Sequence, residues 1–350
     1  MAQPMVIAVD GSGLDRPLAG IGRYTDQILA AMRVERPQNR LALVESRPGP
    51  PLIARHLQYP ARVRRLRADA YWSPAGQLPL GRLGMPAAIT VHDLAIYRNP
   101  RWFPGGQWLS TKLLVPRSLR RARAVIAVSR STARDLEELF GVAGERVSVV
   151  HHGVGREFRP RPAAEARERL GLPERFILFV GTIEPRKNLE TLLDAWAMVR
   201  DRLPLVIAGG WGWRYEGIAA RLDRLGPGVR LLGAVAPTDL PDLYSAATCL
   251  AHPAWYEGFG LTPLESMACG TPVVCSNNSS LPEVVGDAAI TVDAADSAAL
   301  AAGLERLCGD TELHLDLRRR GLVRAAEFTW ARSADRTWRA LENLHRGGPG

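Results

Sequence analysis

RFILFVGTIEPRKNLETLLDAWAMVRDRLPLVIAGG, residues 175–210, holds the pattern that decides the fold. An unbroken apolar run (RFILFVGT, 175–182) gives way to apolar residues at helical spacing (NLETLLDAWAMVRD, 188–201), and a second apolar run follows (LPLVIAGG, 203–210). Continuous rather than alternating hydrophobicity marks strands covered on both faces, as in a parallel sheet. Strand, helix and strand in one short stretch make a βαβ unit.

The same alternation extends both ways. Upstream are VIAVD (6–10), LALVES (41–46), AAITVHD (87–93), AVIAVS (124–129) and VSVVHHG (147–153). Downstream are VRLLGAV (229–235), ATCLAHP (247–253), TPVVCS (271–276) and AAITVD (288–293), with an amphipathic LPDLYSAA (240–247) among them. Repeated strand–helix alternation predicts an α/β protein of two doubly wound, Rossmann-like domains. The proline- and charge-rich stretch 153–176 separates them, which assigns 1–160 to the first domain and 161–328 to the second. FTWARSADRTWRALENLH (328–345) reads as a terminal helix. Ligands of such domains bind beyond the carboxyl ends of the strands, in the cleft that two of them leave.

Composition limits the function classes. The 350 residues are 46% hydrophobic and 23% charged, enough for two cores in a water-soluble chain. No run approaches the roughly 18 apolar residues of a membrane helix, and MAQPMVIAVDGSG lacks the form of a signal peptide, so a cytoplasmic protein is expected. Cys249, Cys269, Cys275 and Cys308 form no C-x-x-C pair and read as buried structural thiols. Residues 1–162 carry 25 Lys and Arg against 12 Asp and Glu. That excess fits an anionic partner such as the inner face of a membrane or a phosphorylated lipid, or else a plain solvated surface. RVRRLR (62–67) and RSLRRAR (117–123) lack interleaved aromatics, so no nucleic acid is expected.

The chemistry concentrates in AWYEGFGLTPLESMACGTPVVCS, residues 254–276. Thr262-Pro263-Leu264-Glu265 has the form of a helix start, with Thr262 as N-cap and Glu265 closing a capping box. On that reading Glu265 is structural; on the other it is a ligand-facing carboxylate. Glu257, at a strand-to-loop edge beside Gly258, has no evident core task. A helix N-terminus beside Gly258, Phe259 and Gly260 suits a phosphate, and two carboxylates there suit the hydroxyls of a sugar and a ribose.

Glu257-x7-Glu265, within EGFGLTPLESMACGTPVV, closely resembles the Glu-x7-Glu motif of retaining glycosyltransferases of family 4, which have the GT-B fold. SNNSSLPEVVGDAAITVD (276–293) is similar to the mannosyltransferase-like bacterial members. The resemblance spans most of the chain and implies that the terminal helix, 329–345, crosses back to the first domain. It implies that Glu257 holds the donor sugar or the diphosphate, Glu265 the ribose, and that Gly258 through Thr262, Leu261 included, line the nucleotide sugar. In VGTIEPRKNL (180–189), which opens at Gly181, Arg186 and Lys187 precede a helix and are similar in position to residues gripping the leaving diphosphate. AGIGRYT (19–25) resembles the family's N-terminal glycine-rich loop, with Gly20, Gly22 and Arg23 as its contacts.

His92-Asp93 ends a strand: His92 is either a satisfied core histidine or, as the resemblance implies, a group near the reacting sugar and the acceptor. Tyr97, Trp102, Phe103 and Trp108 form an acceptor platform, a membrane-contacting loop or a packed Ω-loop. His151 and His152 point to opposite faces of a strand, and relatives carry Asn-Gly where this chain has His152-Gly153, which weakens any role for His152.

No Asp-x-Asp occurs, so no carboxylate pair for a diphosphate-bound metal is expected and the transfer reads as metal-independent, without a cofactor. The resemblance implies transfer of a hexose, mannose from GDP-mannose, to a hydroxyl of a glycan or lipid-linked acceptor. Alternatives are a UDP-sugar donor, a GT-B nucleotide-sugar epimerase and a noncatalytic sugar-nucleotide binder.

Overall fold

The computed structural model describes residues 4–12, 14, 20–44 and 59–346. Glu45 and Ser46, read above as the end of a strand, lie outside the described residues. The chain forms two units. Unit 1 comprises Met1–Arg98, Gly105–Gly153 and Thr329–Gly350; unit 2 comprises Asn99–Pro104 and Val154–Phe328.

Unit 1 is built on six parallel strands: β1 (Val6–Asp10), β2 (Arg40–Val44), β3 (Ala70–Ser73), β4 (Ala87–Val91), β5 (Ala124–Ala127) and β6 (Val147–Val149), in the order β2-β1-β3-β4-β5-β6. The inner strands β3 and β4 are buried throughout, as their continuous apolar pattern requires. β3, read AYWS, has no Val, Ile or Leu and is missing from the runs picked out above. Helix Ile21–Glu35 covers one face together with helix Trp330–Arg346. Trp338 of the latter is fully buried and its indole Nε1 donates to Met32 O at 3.0 Å. The last helix is therefore part of the unit 1 core.

Unit 2 carries β7 (Ile177–Val180), β8 (Leu205–Ala208), β9 (Val229–Gly233), β10 (Cys249–His252), β11 (Val273–Ser276) and β12 (Ile290–Val292), all parallel, in the order β12-β11-β10-β7-β8-β9. Its core packs Trp196 and the leucines of helix Leu189–Val199 against β7 and β8. The strand order reverses direction between β7 and β10, which parts the crossing loops there and leaves a crevice at the strand ends. Gly209 fits a close approach: a Cβ added there would meet Gly181 O at 1.8 Å, so only glycine lets the loops after β7 and β8 lie together.

Truncating the large buried side chain of the last helix should leave a cavity in unit 1. Trp338→Ala is expected to lower its unfolding free energy by about 3–5 kcal/mol, read in urea titration; an unchanged midpoint would show that the helix does not seal the core.

Candidate functional site

The loops after β7 and β10 converge at the switch point of unit 2, and they carry the residues that the sequence singled out. After β7 come Gly181 and a tight turn, Pro185–Lys187, ending at Asn188 in the left-handed region (φ 55°). Asparagine tolerates that conformation, and here its side chain also fixes the loop. Asn188 Nδ2 donates to Pro253 O at 2.9 Å and to Ala294 O at 2.7 Å, while Thr191 Oγ1 donates to Asn188 Oδ1 at 2.8 Å. The β7 loop is thereby tied to the ends of β10 and β12, and the helix Leu189–Val199 starts from it.

This tie brings Arg186 and Lys187 onto Glu257, some seventy positions away in sequence. Lys187 Nζ donates to Glu257 Oε1 at 2.5 Å, and Arg186 Nη1 donates to Glu257 Oε2 at 3.2 Å and to Tyr256 O at 2.9 Å. Arg186 Nη2 donates to Glu184 Oε1 at 2.6 Å, and His252 Nε2 lies 3.1 Å from Glu257 Oε1. Two serines hold the backbone around the glutamate: Ser279 Oγ accepts from the Glu257 amide at 2.8 Å, and Ser280 Oγ donates to Glu257 O and Phe259 O.

Glu257 is 9% exposed. Burial by itself would raise the pKa of its carboxyl, but the Lys187 and Arg186 charges outweigh burial and hold it well below the usual range. Glu257 is thus an ionised acceptor flanked by cations. Glu184, more weakly compensated by the same cations, is pushed upward by burial. Burial also lowers His252, against the pull of Glu257, so the neutral imidazole is favoured.

The helix that follows differs from the expected start. It runs Leu261–Ala268 with Gly260 as its N-cap at φ 111°, and no side chain caps it. Thr262 and Pro263 lie inside the first turn, and the capping box is not formed. Glycine stands at the cap because the chain turns there through positive φ, and the first-turn amides have no side-chain cap. Glu265 is buried and accepts a hydrogen bond from Tyr244 OH at 3.0 Å. Its structural reading as a cap is corrected; its carboxylate is set in place from the adjacent helix Leu240–Ala246 instead.

The remaining predicted residues belong to unit 1. Gly20 caps helix Ile21–Glu35 with φ 51°, and Gly22 and Arg23 lie in the first turn, where backbone amides have no acceptor within the helix. His92 Nε2 is 2.8 Å from Pro74 O. Its ring meets Tyr24 edge-on at 4.7 Å and stacks on His152 at 5.6 Å. His152, discounted from sequence, is buried beside Tyr24 and Trp330. Burial lowers the pKa of both histidines, that of His152 the more strongly. Asp93 is exposed and accepts from the Ala95 amide at 3.1 Å, a turn-capping task.

The aromatic run divides. Tyr97 packs edge-on against Phe140. Trp102 and Phe103 pack in unit 2, where Trp213 Nε1 donates to Trp102 O at 2.6 Å and Phe103 stacks on Trp213. Trp108 is 67% exposed. Sequence reasoning missed Glu184, Asn188, His252, Ser279 and Ser280. A histidine ending an apolar run (His252) and an asparagine at a helix start (Asn188) were the available signals.

The profile of "Glycosyl transferases group 1" matches residues 161–323, and that of "Glycosyltransferase Family 4" matches residues 20–158. The O-antigen chain mannosyltransferase B of Escherichia coli is 32% identical over 94% of this chain and 97% of its own. A D-inositol 3-phosphate glycosyltransferase of Thermobispora bispora is 34% identical over 80% of this chain and 71% of its own. Among solved structures, sucrose-phosphate synthase from Thermosynechococcus elongatus superposes with a TM-score of 0.77 at 22% identity, covering 97% of this chain and 99% of that one. The chain belongs to glycosyltransferase family 4. It is a glycosyltransferase with the two-sheet α/β architecture of the GT-B class.

The lowered histidines give a pH signature. An unfolded histidine titrates near 6.5, and His92, His152 and His252 resist protonation when folded, so the unfolded chain binds more protons below that value. Stability is therefore present above pH of about 6.5 and falls as pH drops below it. Urea midpoints are expected to be lower at pH 5.5 than at pH 7.5, with the difference reduced in His152→Gln; an equal difference in the variant would clear His152 of the effect.

Proposed function

We propose that this glycosyltransferase moves mannose from GDP-mannose to a hydroxyl of a glycan or lipid-linked acceptor, with retention of anomeric configuration and without a metal. The observation that carries the reading is the Glu257 carboxylate held between Lys187 and Arg186 at the strand-order switch of unit 2. An ionised carboxylate only accepts hydrogen bonds, so Glu257 suits the hydroxyls of a donor sugar. A donor diphosphate offers Arg186 and Lys187 a second anion, and their charge would stabilise the leaving nucleotide as the glycosidic bond breaks. Glu265, set by Tyr244, suits a ribose diol. His92 and Gly20 through Arg23 of unit 1 are assigned to the sugar and the acceptor, Asp93 beside them, with Gly181 and Gly258 through Thr262 on the nucleotide side.

Two cations in place of a metal support the metal-free reading, as does the absence of Asp-x-Asp from the sequence. Retention through a covalent intermediate needs a carboxylate close to the anomeric carbon. The proposal assigns no such nucleophile: the reaction proceeds on one face, with the leaving phosphate assisting the acceptor's deprotonation. The mannosyltransferase named above supports the sugar. A phosphorylated polyol acceptor is the second reading, favoured by the D-inositol 3-phosphate glycosyltransferase relatives. The setting proposed is cytoplasmic, with the basic first half turned to an anionic membrane face.

Glu257→Ala is expected to reduce transfer far more than tenfold; a smaller loss, under about 1.4 kcal/mol of barrier, would remove Glu257 from the reacting site. Activity should also survive chelator, and restoration by added Mg²⁺ or Mn²⁺ would overturn the metal-free reading. Thermal shifts with GDP-, UDP- and ADP-sugars should be largest for GDP-mannose, since stabilisation follows RT ln(1 + [L]/Kd). A larger shift with a UDP-sugar would replace the donor. Turnover of donor alone into another sugar nucleotide would mark an epimerase, and binding without turnover in the presence of acceptor a noncatalytic protein.

A further inference from the structure

The basic run RSLRRAR, 117–123, takes no part in the transfer site, and its structure points to a separate one. Helix Val115–Arg121 ends in Arg120 and Arg121, the chain passes Arg123 into β5, and Arg146 closes the turn that leads into β6. These four arginines line a cavity of about 760 Å³ that is completed by the last turns of helix Trp330–Arg346. The strands are parallel, so the cavity lies at their amino ends, whereas His92 and His152 follow the carboxyl ends of β4 and β6.

Two of the arginines are fixed by neutral acceptors. Arg121 donates to Pro79 O at 2.5 Å and to Gly81 O at 2.8 Å, and Arg146 Nη2 donates to Leu119 O and Ala122 O at 2.5 and 2.7 Å. Carbonyl oxygens hold a guanidinium in place without cancelling its charge. Among the described residues neither arginine has a carboxylate partner, and Glu145 is the one acidic residue lining the cavity. Burial, and then the charge of Arg117, push Arg121 below its ordinary value, as expected where positive charge is left uncompensated. Ser148 and Asn343 add neutral donors to the wall. Like charges held together by bonds to the main chain repel one another, and a multivalent anion removes that repulsion while using the planar N–H forks.

We propose that this cavity is a binding site for a multiply charged phosphate group, either a free polyphosphate or the phosphorylated head of an anionic lipid. The site is independent of sugar transfer, and its failure would leave the reading of Glu257 untouched.

The test uses the full chain and inorganic tripolyphosphate in a calorimetric titration, beside flotation with phosphatidylcholine vesicles with and without phosphatidic acid, whose phosphomonoester head can carry a second charge. Arg120→Ala/Arg123→Ala removes exposed cations and spares the two that hold the backbone. It is expected to weaken one class of binding at least tenfold, with the circular dichroism spectrum unchanged. Arg120→Lys/Arg123→Lys should recover part of the loss. Arg62→Ala/Arg65→Ala removes equal charge elsewhere on unit 1 and should leave binding intact. Tripolyphosphate binding without flotation identifies a soluble anion as the ligand, and flotation limited to phosphatidic acid vesicles identifies a lipid head. Binding in neither arm, or equal weakening by the Arg62/Arg65 variant, would overturn the proposal.

Discussion

The site of unit 2 rests on a buried carboxylate that can stay ionised only in the company of two cations. Glu257 is nearly withdrawn from water, which disfavours its charge; Lys187 and Arg186 restore it. Removing one partner from such a group leaves an uncompensated charge, commonly worth 3–5 kcal/mol, so the three are bound to one another structurally as well as chemically. The loop geometry serves this contact. Asn188 ties the β7 loop to the end of β10, Ser279 and Ser280 hold the backbone on either side of the glutamate, and the glycine contact between the β7 and β8 loops leaves room for the approach. A diphosphate entering this place would meet cations already oriented, and a carboxylate that accepts hydrogen bonds from hydroxyls and carries no proton of its own.

The fold was largely legible because burial on both faces writes itself as continuous apolar runs. β1, β7 and β8 are nearly verbatim segments of Val, Ile and Leu. β3 escaped because AYWS buries its area through two aromatic rings and a small polar residue, a composition that no apolar run announces. The strand-order reversal that creates the crevice is not a local property and had to come from the pairing of β7 with β10.

The site was legible in parts. Glu257, Arg186 and Lys187 stood out singly; their mutual contact crosses about seventy residues and depends on an asparagine whose conformation sequence does not display. The helix start at Leu261 was misplaced because the side-chain signature of a cap was present, while the backbone used a glycine. His152 was discounted on a sequence departure, yet it is packed with Tyr24 and His92. Side-chain stacking across three separate elements has no counterpart in local pattern.

The return of the last helix to unit 1 bears on how the chain is made. Unit 2 closes on itself where it is entered and left, with the Val154 amide donating to Phe328 O at 3.0 Å. All six strands of unit 1 leave the ribosome before the first strand of unit 2, yet Trp338 and Leu341 of its core emerge only after the whole of unit 2. The usual order, in which the amino-terminal domain folds first, is thereby reversed in its final step. Unit 2 can complete its core while unit 1 still exposes the apolar face of helix Ile21–Glu35. During that interval the nascent protein carries a finished unit 2 and an unfinished unit 1, and early termination within the last helix would strand it there.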